Sequence, residues 1–269
     1  MQIYLGTQGI PASVRVNGGN IIDGLYALHT LGLNALEIDF VHRIYLNNEE
    51  CKLVGDIAKK LGIRLSIHAP YYINLSSENK SVIEASKRRI LLCIERARYL
   101  NAEIIAVHAA FYGRLNKEDV YKRVREELKE ICSIESDAAK YIGIETLAKS
   151  NQFGTLDEVI RLYDDLGIKP YIDFAHIFAR SNGNIDYGKI LDLIYQRISH
   201  LNAHFEGLRY KNGKYVDIHA PIGEPSFEPL AIELMNRKES ITIICESPLL
   251  EIDCMKMRSI FSDVNLSYK

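Results

Sequence analysis

The sequence predicts a single (β/α)8 barrel, and three observations carry that expectation. Short β-rich apolar runs alternate with amphipathic helical patterns eight times along the chain. The 269 residues contain no internal repeat, no low-complexity tract and no Pro- or Ser-rich linker, and their number suits one barrel domain, 1–269, of the usual ~250 residues. No G-x-G-x-x-G follows an early strand, since the Gly18-Gly19 pair sits in a polar loop; an open nucleotide-binding sheet is therefore disfavoured. Strand–helix–strand repeats of this kind close by right-handed crossovers into a parallel sheet.

Taken in order, Ile3 to Gly6 is the first strand, running into a Gly-containing loop. Apolar residues at helical spacing from Ile21 to Leu31 stop at Gly32. Ala35 to Phe40 is the second strand, and Glu49 to Leu61 a helix closed by Gly62. Arg64 to His68 is the third strand, ended by Ala69-Pro70, and Ser81 to Leu100 a long amphipathic helix. Ile104 to His108 is the fourth strand, with a charged helix over 117–141. Ile142 to Glu145 is the fifth, with a helix from Thr155 to Leu166 closed by Gly167. Pro170 to Asp173 is the sixth, with a helix from Tyr187 to Ile198. Ser199 to His204 is the seventh, where His200, Asn202 and His204 alternate with Leu201 and Ala203. A polar excursion through Gly207, Asn212 and Gly213 returns as Asp217-Ile218-His219, which in extended form turns Asp217 and His219 to one side. Phe227 to Met235 is a short helix, Ile241 to Glu246 the eighth strand, and the tail from Ile252 is helical.

Composition narrows the function. A formal net charge of -2 argues against a generally basic nucleic-acid coat, although bound metal ions can supply positive charge locally. The five cysteines are scattered and form no C-x-x-C pair, which indicates reduced thiols and a cytoplasmic setting. The chain opens on a strand-like segment without a charged-then-apolar leader, and no apolar run is long enough to span a bilayer.

The later strands end on His68, His108, Glu145, Asp173, His204 and Glu246. In a (β/α)8 barrel those ends share one face, where active sites form. His176 lies just inside the loop after Asp173, and Asp217 and His219 join from the excursion. Any one His at a strand end is more often a hydrogen-bonded loop residue than a ligand. Together, however, three carboxylates (Glu145, Asp173, Glu246) buried near one another would cost several kcal/mol without cations. Histidines with carboxylates indicate a metal site, with Zn favoured over Mg and Mn or Fe as alternatives. Nine donors exceed the needs of one tetrahedral ion, so two or three ions are expected, Glu145 being the best placed to bridge two. Such a cluster suits phosphate-ester hydrolysis. No G-x-S-x-G and no credible Cys nucleophile points to covalent catalysis. His29 and His42 are expected in structural and loop roles, and His200 low on the seventh strand.

These residues resemble the endonuclease IV family of AP endonucleases. The resemblance rests on I-H-A-P-Y-Y-I-N-L-S (67–76), His108, I-E-T (144–146), D-F-A-H (173–176), D-I-H-A-P-I-G-E (217–224), E-S-P (246–248) and the opening I-Y-L-G-T-Q-G-I-P, and covers nearly the whole chain. It implies a trinuclear zinc site: one ion on His68, His108 and Glu145, a second on Glu145, Asp173, His204 and Glu246, a third on His176, Asp217 and His219. It further implies a monomer acting on double-stranded DNA that contains abasic sites, cutting 5′ to the lesion by attack of a hydroxide held between ions. Glu145 and Glu246 would be catalytic ligands; Tyr71, Tyr72 and Arg43 would contact DNA. The chain departs from the family pattern with H-A-A-F-Y-G-R after strand four and H-F-E-G-L in strand seven. The rival is a xylose isomerase-like sugar isomerase or epimerase, holding one Mn or Mg on Glu145, Asp173, His204 and Glu246. That enzyme has no evident use for His108, Asp217 or His219.

Overall fold

A computed structural model describes residues 2–267. In chain order the elements are β1 (Ile3–Gln8), α1 (Ala12–Arg15), α2 (Ile21–Thr30), β2 (Ala35–Asp39), α3 (Asn48–Leu61), β3 (Arg64–His68), α4 (Lys80–Leu100), β4 (Ile105–Val107), α5 (Lys117–Ile134), α6 (Ala138–Tyr141), β5 (Ile142–Glu145), α7 (Leu156–Leu166), β6 (Lys169–Asp173), α8 (Phe174–Arg180), α9 (Tyr187–Tyr195), β7 (His200–Phe205), β8 (Gly207–Lys211), β9 (Lys214–Ala220), α10 (Glu228–Met235), β10 (Ser240–Cys245) and α11 (Glu251–Ser267). Eight strands form a closed barrel in the order β1-β10-β7-β6-β5-β4-β3-β2, and β8 with β9 makes a separate two-stranded sheet. This is the (β/α)8 architecture expected from the alternating pattern. No helix among the described residues is long and apolar enough to cross a membrane.

The chain packs as two compact units, one of residues 37–60 and 64–171, the other of residues up to 36, 61–63 and from 172 onward. The first unit centres on β3, β4 and β5, whose parallel register runs Ile67↔Ile105 and Ile105↔Ile142. Ile104, Ala106 and Tyr171 form a buried cluster within it. The Tyr171 hydroxyl and Ser66 Oγ each donate at 2.8 Å to the wholly buried Glu37 carboxylate, which is thereby satisfied. The second unit centres on β1, β10 and β7, where Ile244 pairs with His204 and Cys245 with Phe205.

Helix boundaries follow capping chemistry. The α7 helix starts with a Thr155–Glu158 capping box and ends on Gly167 in the left-handed conformation. Two expectations need correction. The charged helix does not run to Tyr141 but breaks after Ile134, where Glu135 turns extended and Ser136 and Asp137 follow; Ser and Asp side chains compete for backbone groups and favour such breaks. The stretch after Asp173 is not a loop but α8, with the Asp173 carboxylate accepting the His176 N–H at 2.7 Å as its N-cap.

The excursion after β7 is a hairpin. It is anchored by Leu208 and Tyr215 packing on Ala175 and Phe178, with the Phe178 and Tyr215 rings 4.7 Å apart edge to face. Gly207 is required at its root, because a Cβ there would lie 2.0 Å from the Pro221 carbonyl oxygen.

Candidate metal centre

In the first unit, β3 ends on His68, β5 ends on Glu145, and His108 directly follows β4. Their donor atoms lie within 4.8 Å of one another. One oxygen, Glu145 Oε2, stands 3.0 Å from His108 Nε2 and 3.5 Å from His68 Nε2. His68 Nδ1 is 2.8 Å from the Ala69 carbonyl oxygen. A proton on Nδ1 satisfies that contact and leaves the Nε2 lone pair aimed at the Glu145 side, as a metal-binding imidazole requires. Tyr71 covers both imidazoles, its ring 5.1 Å from that of His68 and 5.0 Å from that of His108.

In the second unit, Asp173 ends β6, His204 lies one residue before the end of β7, and Glu246 directly follows β10. Glu246 Oε2 is 3.5 Å from His204 Nδ1 and 3.9 Å from His219 Nδ1, and Glu246 Oε1 accepts a short hydrogen bond from Gln8 Nε2 at the end of β1. The Asp173 carboxylate oxygen not used in capping lies 3.2 Å from His176 Nδ1 and 4.0 Å from His204 Nδ1. The other side of the His176 ring, Nε2, is 3.2 Å from Asp217 Oδ2.

Asp217 and His219 do meet, though not by simple alternation. His219 has a φ of 48°, outside the extended range, and its N–H donates to Asp217 Oδ1 at 3.1 Å. A residue that the sequence reading passed over completes the arrangement. Glu206, wholly buried, shares one group of donors with Asp173 and His176 and another with Asp217 and His219, each within 4.8 Å. Two signals pointed to it. It is two residues beyond His204, hence on the same side of an extended strand. It also lies one step past the Phe205–Cys245 pairing, as Glu246 does on β10.

The charges are strongly coupled. Burial pushes the Glu206 carboxyl well above the usual range; Asp173 adds to this, His176 opposes it, and Glu246 and Asp217 add further. Burial also acts to raise Asp217, but its hydrogen bond to His176 and the charges of His176 and His219 outweigh that and hold it below the usual carboxylate range. Imidazole and carboxylate donors at this density fit divalent Zn, Mn or Fe, which would compensate the buried negative charge.

Tyr71 is 39 % exposed and Tyr72 60 %. Tyr72 faces the Arg89 guanidinium 6.0 Å from its ring centroid. Arg43 is exposed in the loop after β2, tied to the Tyr71 segment by the Tyr71 N–H donating to the Val41 carbonyl at 3.1 Å. The remaining histidines stay out of the donor groups: His29 contacts the Leu61 carbonyl, His42 is exposed, and His200 Nε2 is 2.9 Å from Thr242 Oγ1.

Fold and side chains together define a (β/α)8 barrel whose strand ends gather groups able to bind metal ions. The chain belongs to the Xylose isomerase-like TIM barrel family, which matches residues 25–252. It is 31 % identical, over 98 % of both chains, to an uncharacterised protein of Methanocaldococcus jannaschii. It is also a divergent relative of a probable endonuclease 4 of Mycobacterium leprae, at 24 % identity over 72 % of this chain and 76 % of that one. Among solved structures, endonuclease IV from Thermus thermophilus superposes with a TM-score of 0.72 at 18 % identity, covering 98 % of this chain and 99 % of the other. A D-tagatose 3-epimerase-like protein superposes with a TM-score of 0.69 at 18 % identity, covering 97 % and 96 %. These two likenesses speak to the fold alone.

Proposed function

We propose that this chain, acting as one barrel domain of residues 1–269 and as a cytoplasmic monomer, is a zinc-dependent endonuclease that cuts DNA 5′ to abasic sites and leaves a 3′-hydroxyl. The observation that carries the reading is the surplus of donors. Asp173, His204 and Glu246, with Glu145, suffice for one ion, yet His68 and His108 converge on Glu145, and His176 on Asp217. Two to three ions account for that surplus, with Mn2+ as an alternative metal. Bound there, they would generate a nucleophile from water near neutral pH and neutralise charge on a phosphodiester in flight.

The chain's own residues prepare that chemistry. Glu145, on whose Oε2 both His68 and His108 converge, would serve as the shared ligand. The Ala69 carbonyl fixes the His68 ring, Gln8 fixes Glu246, and Tyr71 shields the His68 and His108 imidazoles from water. Tyr71, exposed beside His68 and His108, its exposed neighbour Tyr72 and Arg43 on the adjoining loop would be the contacts for DNA; aromatic wedges suit a duplex that must be opened at a damaged nucleotide.

The second reading is a sugar isomerase or epimerase with one Mn or Mg on Glu145, Asp173, His204 and Glu246; membership of the Xylose isomerase-like TIM barrel family supports it. The deciding experiment is incubation of the zinc-loaded protein with a duplex carrying one tetrahydrofuran abasic analogue. The account expects a single cut 5′ to the analogue, with a 3′ end that a polymerase extends. An intact duplex, together with epimerisation of a ketohexose, would move the assignment to the epimerase.

A further inference from the structure

The second unit contains a carboxylate that its fold does not use. Away from the donor groups, four buried acids are satisfied by hydrogen bonds. Glu37 takes two hydroxyls. Glu158 takes the Tyr112 hydroxyl and the N–H groups of Gly154 and Thr155. Glu251 takes the N–H groups of Ala12 and Ser13, and Asp253 that of Ile222. Glu206 is as deeply buried as any of these, yet neither of its oxygens has a hydrogen-bond partner. The nearest ion-pairing contact is His176 Nε2 at 3.9 Å, too long for a hydrogen bond. Leaving an ionised carboxylate so placed costs several kcal/mol unless a cation meets it.

A second orphan lies on the hairpin. His219 Nδ1 is buried without a hydrogen-bond partner, and its donor group contains Glu206 and Asp217. Glu206 also groups with Asp173 and His176. One buried carboxylate with two unpartnered oxygens therefore belongs to two groups of donors. Gly207 holds it there: the chain turns into the hairpin at a place where only a residue without Cβ clears the Pro221 carbonyl. An apolar side chain at this position would carry no comparable desolvation cost.

We propose that Glu206 is itself a metal ligand, shared between a position completed by Asp173 and His176 and one completed by Asp217 and His219. This rests on the metal-centre part of the reading above, not on its nuclease part. It enlarges the donor set of the hairpin side to three carboxylates and two imidazoles. It also adds one anionic oxygen donor to Asp173, His176, Asp217 and His219, which should strengthen the hold of that side on a hard divalent ion.

The test is zinc binding to metal-stripped protein, read by competition with a chromophoric chelator and by elemental analysis, comparing wild type with Glu206→Gln. Gln keeps the shape and removes the charge. The expected result is loss of one zinc per chain, or at least about a tenfold weaker affinity for it, since even residues that only support ligands cost 10–100-fold when changed. The rise in melting temperature on adding zinc should shrink in parallel. Equal zinc content, equal affinity and an equal thermal shift in the variant would overturn the proposal, whatever the DNA assay shows. A wild-type chain that binds no zinc would overturn it together with the metal-centre reading. Should Glu206→Gln not fold, Glu206→Asp carries the same test: its shorter carboxylate should bind the ion more weakly than wild type, and unchanged affinity would contradict the assignment.

Discussion

The two units of this barrel hold their donor groups in different ways. In the first, three ligands come from the ends of three consecutive strands, one carboxylate faces two imidazoles, and an aromatic ring covers them. In the second, four carboxylates and three imidazoles come from strand ends, a helix and a hairpin, and several serve two neighbours. The first group is minimal: remove its one carboxylate and nothing anionic within it remains to hold a cation. The second is redundant and more strongly charged. Minimal groups should fail completely on a single substitution, redundant ones by degrees.

The largest effect should come from Glu145→Gln. The account expects cleavage of abasic duplex to fall by at least about a thousandfold, the several kcal/mol that metal ions contribute to such a transition state, and the metal content to fall with it. Zinc held by the second unit should survive. Full activity in this variant would refute the bridging role, and loss of all metal would mean that the two groups are not separable.

A smaller effect is expected from Tyr71→Ala. If the ring wedges into damaged DNA, affinity for abasic duplex should drop roughly tenfold, in keeping with 1–3 kcal/mol per lost stacking contact, while affinity for intact duplex changes less. The ring also packs on His68 and His108, which gives the experiment a second reading. Equal losses on both duplexes, with weaker zinc binding in the first unit, would make Tyr71 a cover for the ligands instead of a wedge.

The contrast between the units also explains what could be read from the sequence. Where a ligand terminates a strand, as His68, Glu145 and Asp173 do, the period-2 pattern and the strand's end give its place directly. Where local backbone departs from a regular element, pattern fails. His176 reads as a loop residue because Asp173 is both strand end and helix cap, and α8 is only seven residues long. Asp217 and His219 read as neighbours on an extended strand, but His219 is left-handed and tertiary packing brings them to their partners. Glu206 was missed for a different reason: β7 continues through Phe205, one residue further than the apparent end at His204. Its partners Asp173 and Asp217 are distant in sequence, so its lack of hydrogen bonds is visible only in three dimensions.

The most direct test of the central claim, that this barrel carries a polynuclear metal centre, is elemental analysis of the purified protein, with protein concentration fixed by amino-acid analysis. The account predicts two to three zinc ions per chain. A single manganese or magnesium ion would contradict it, and would leave His108, Asp217 and His219 without a task.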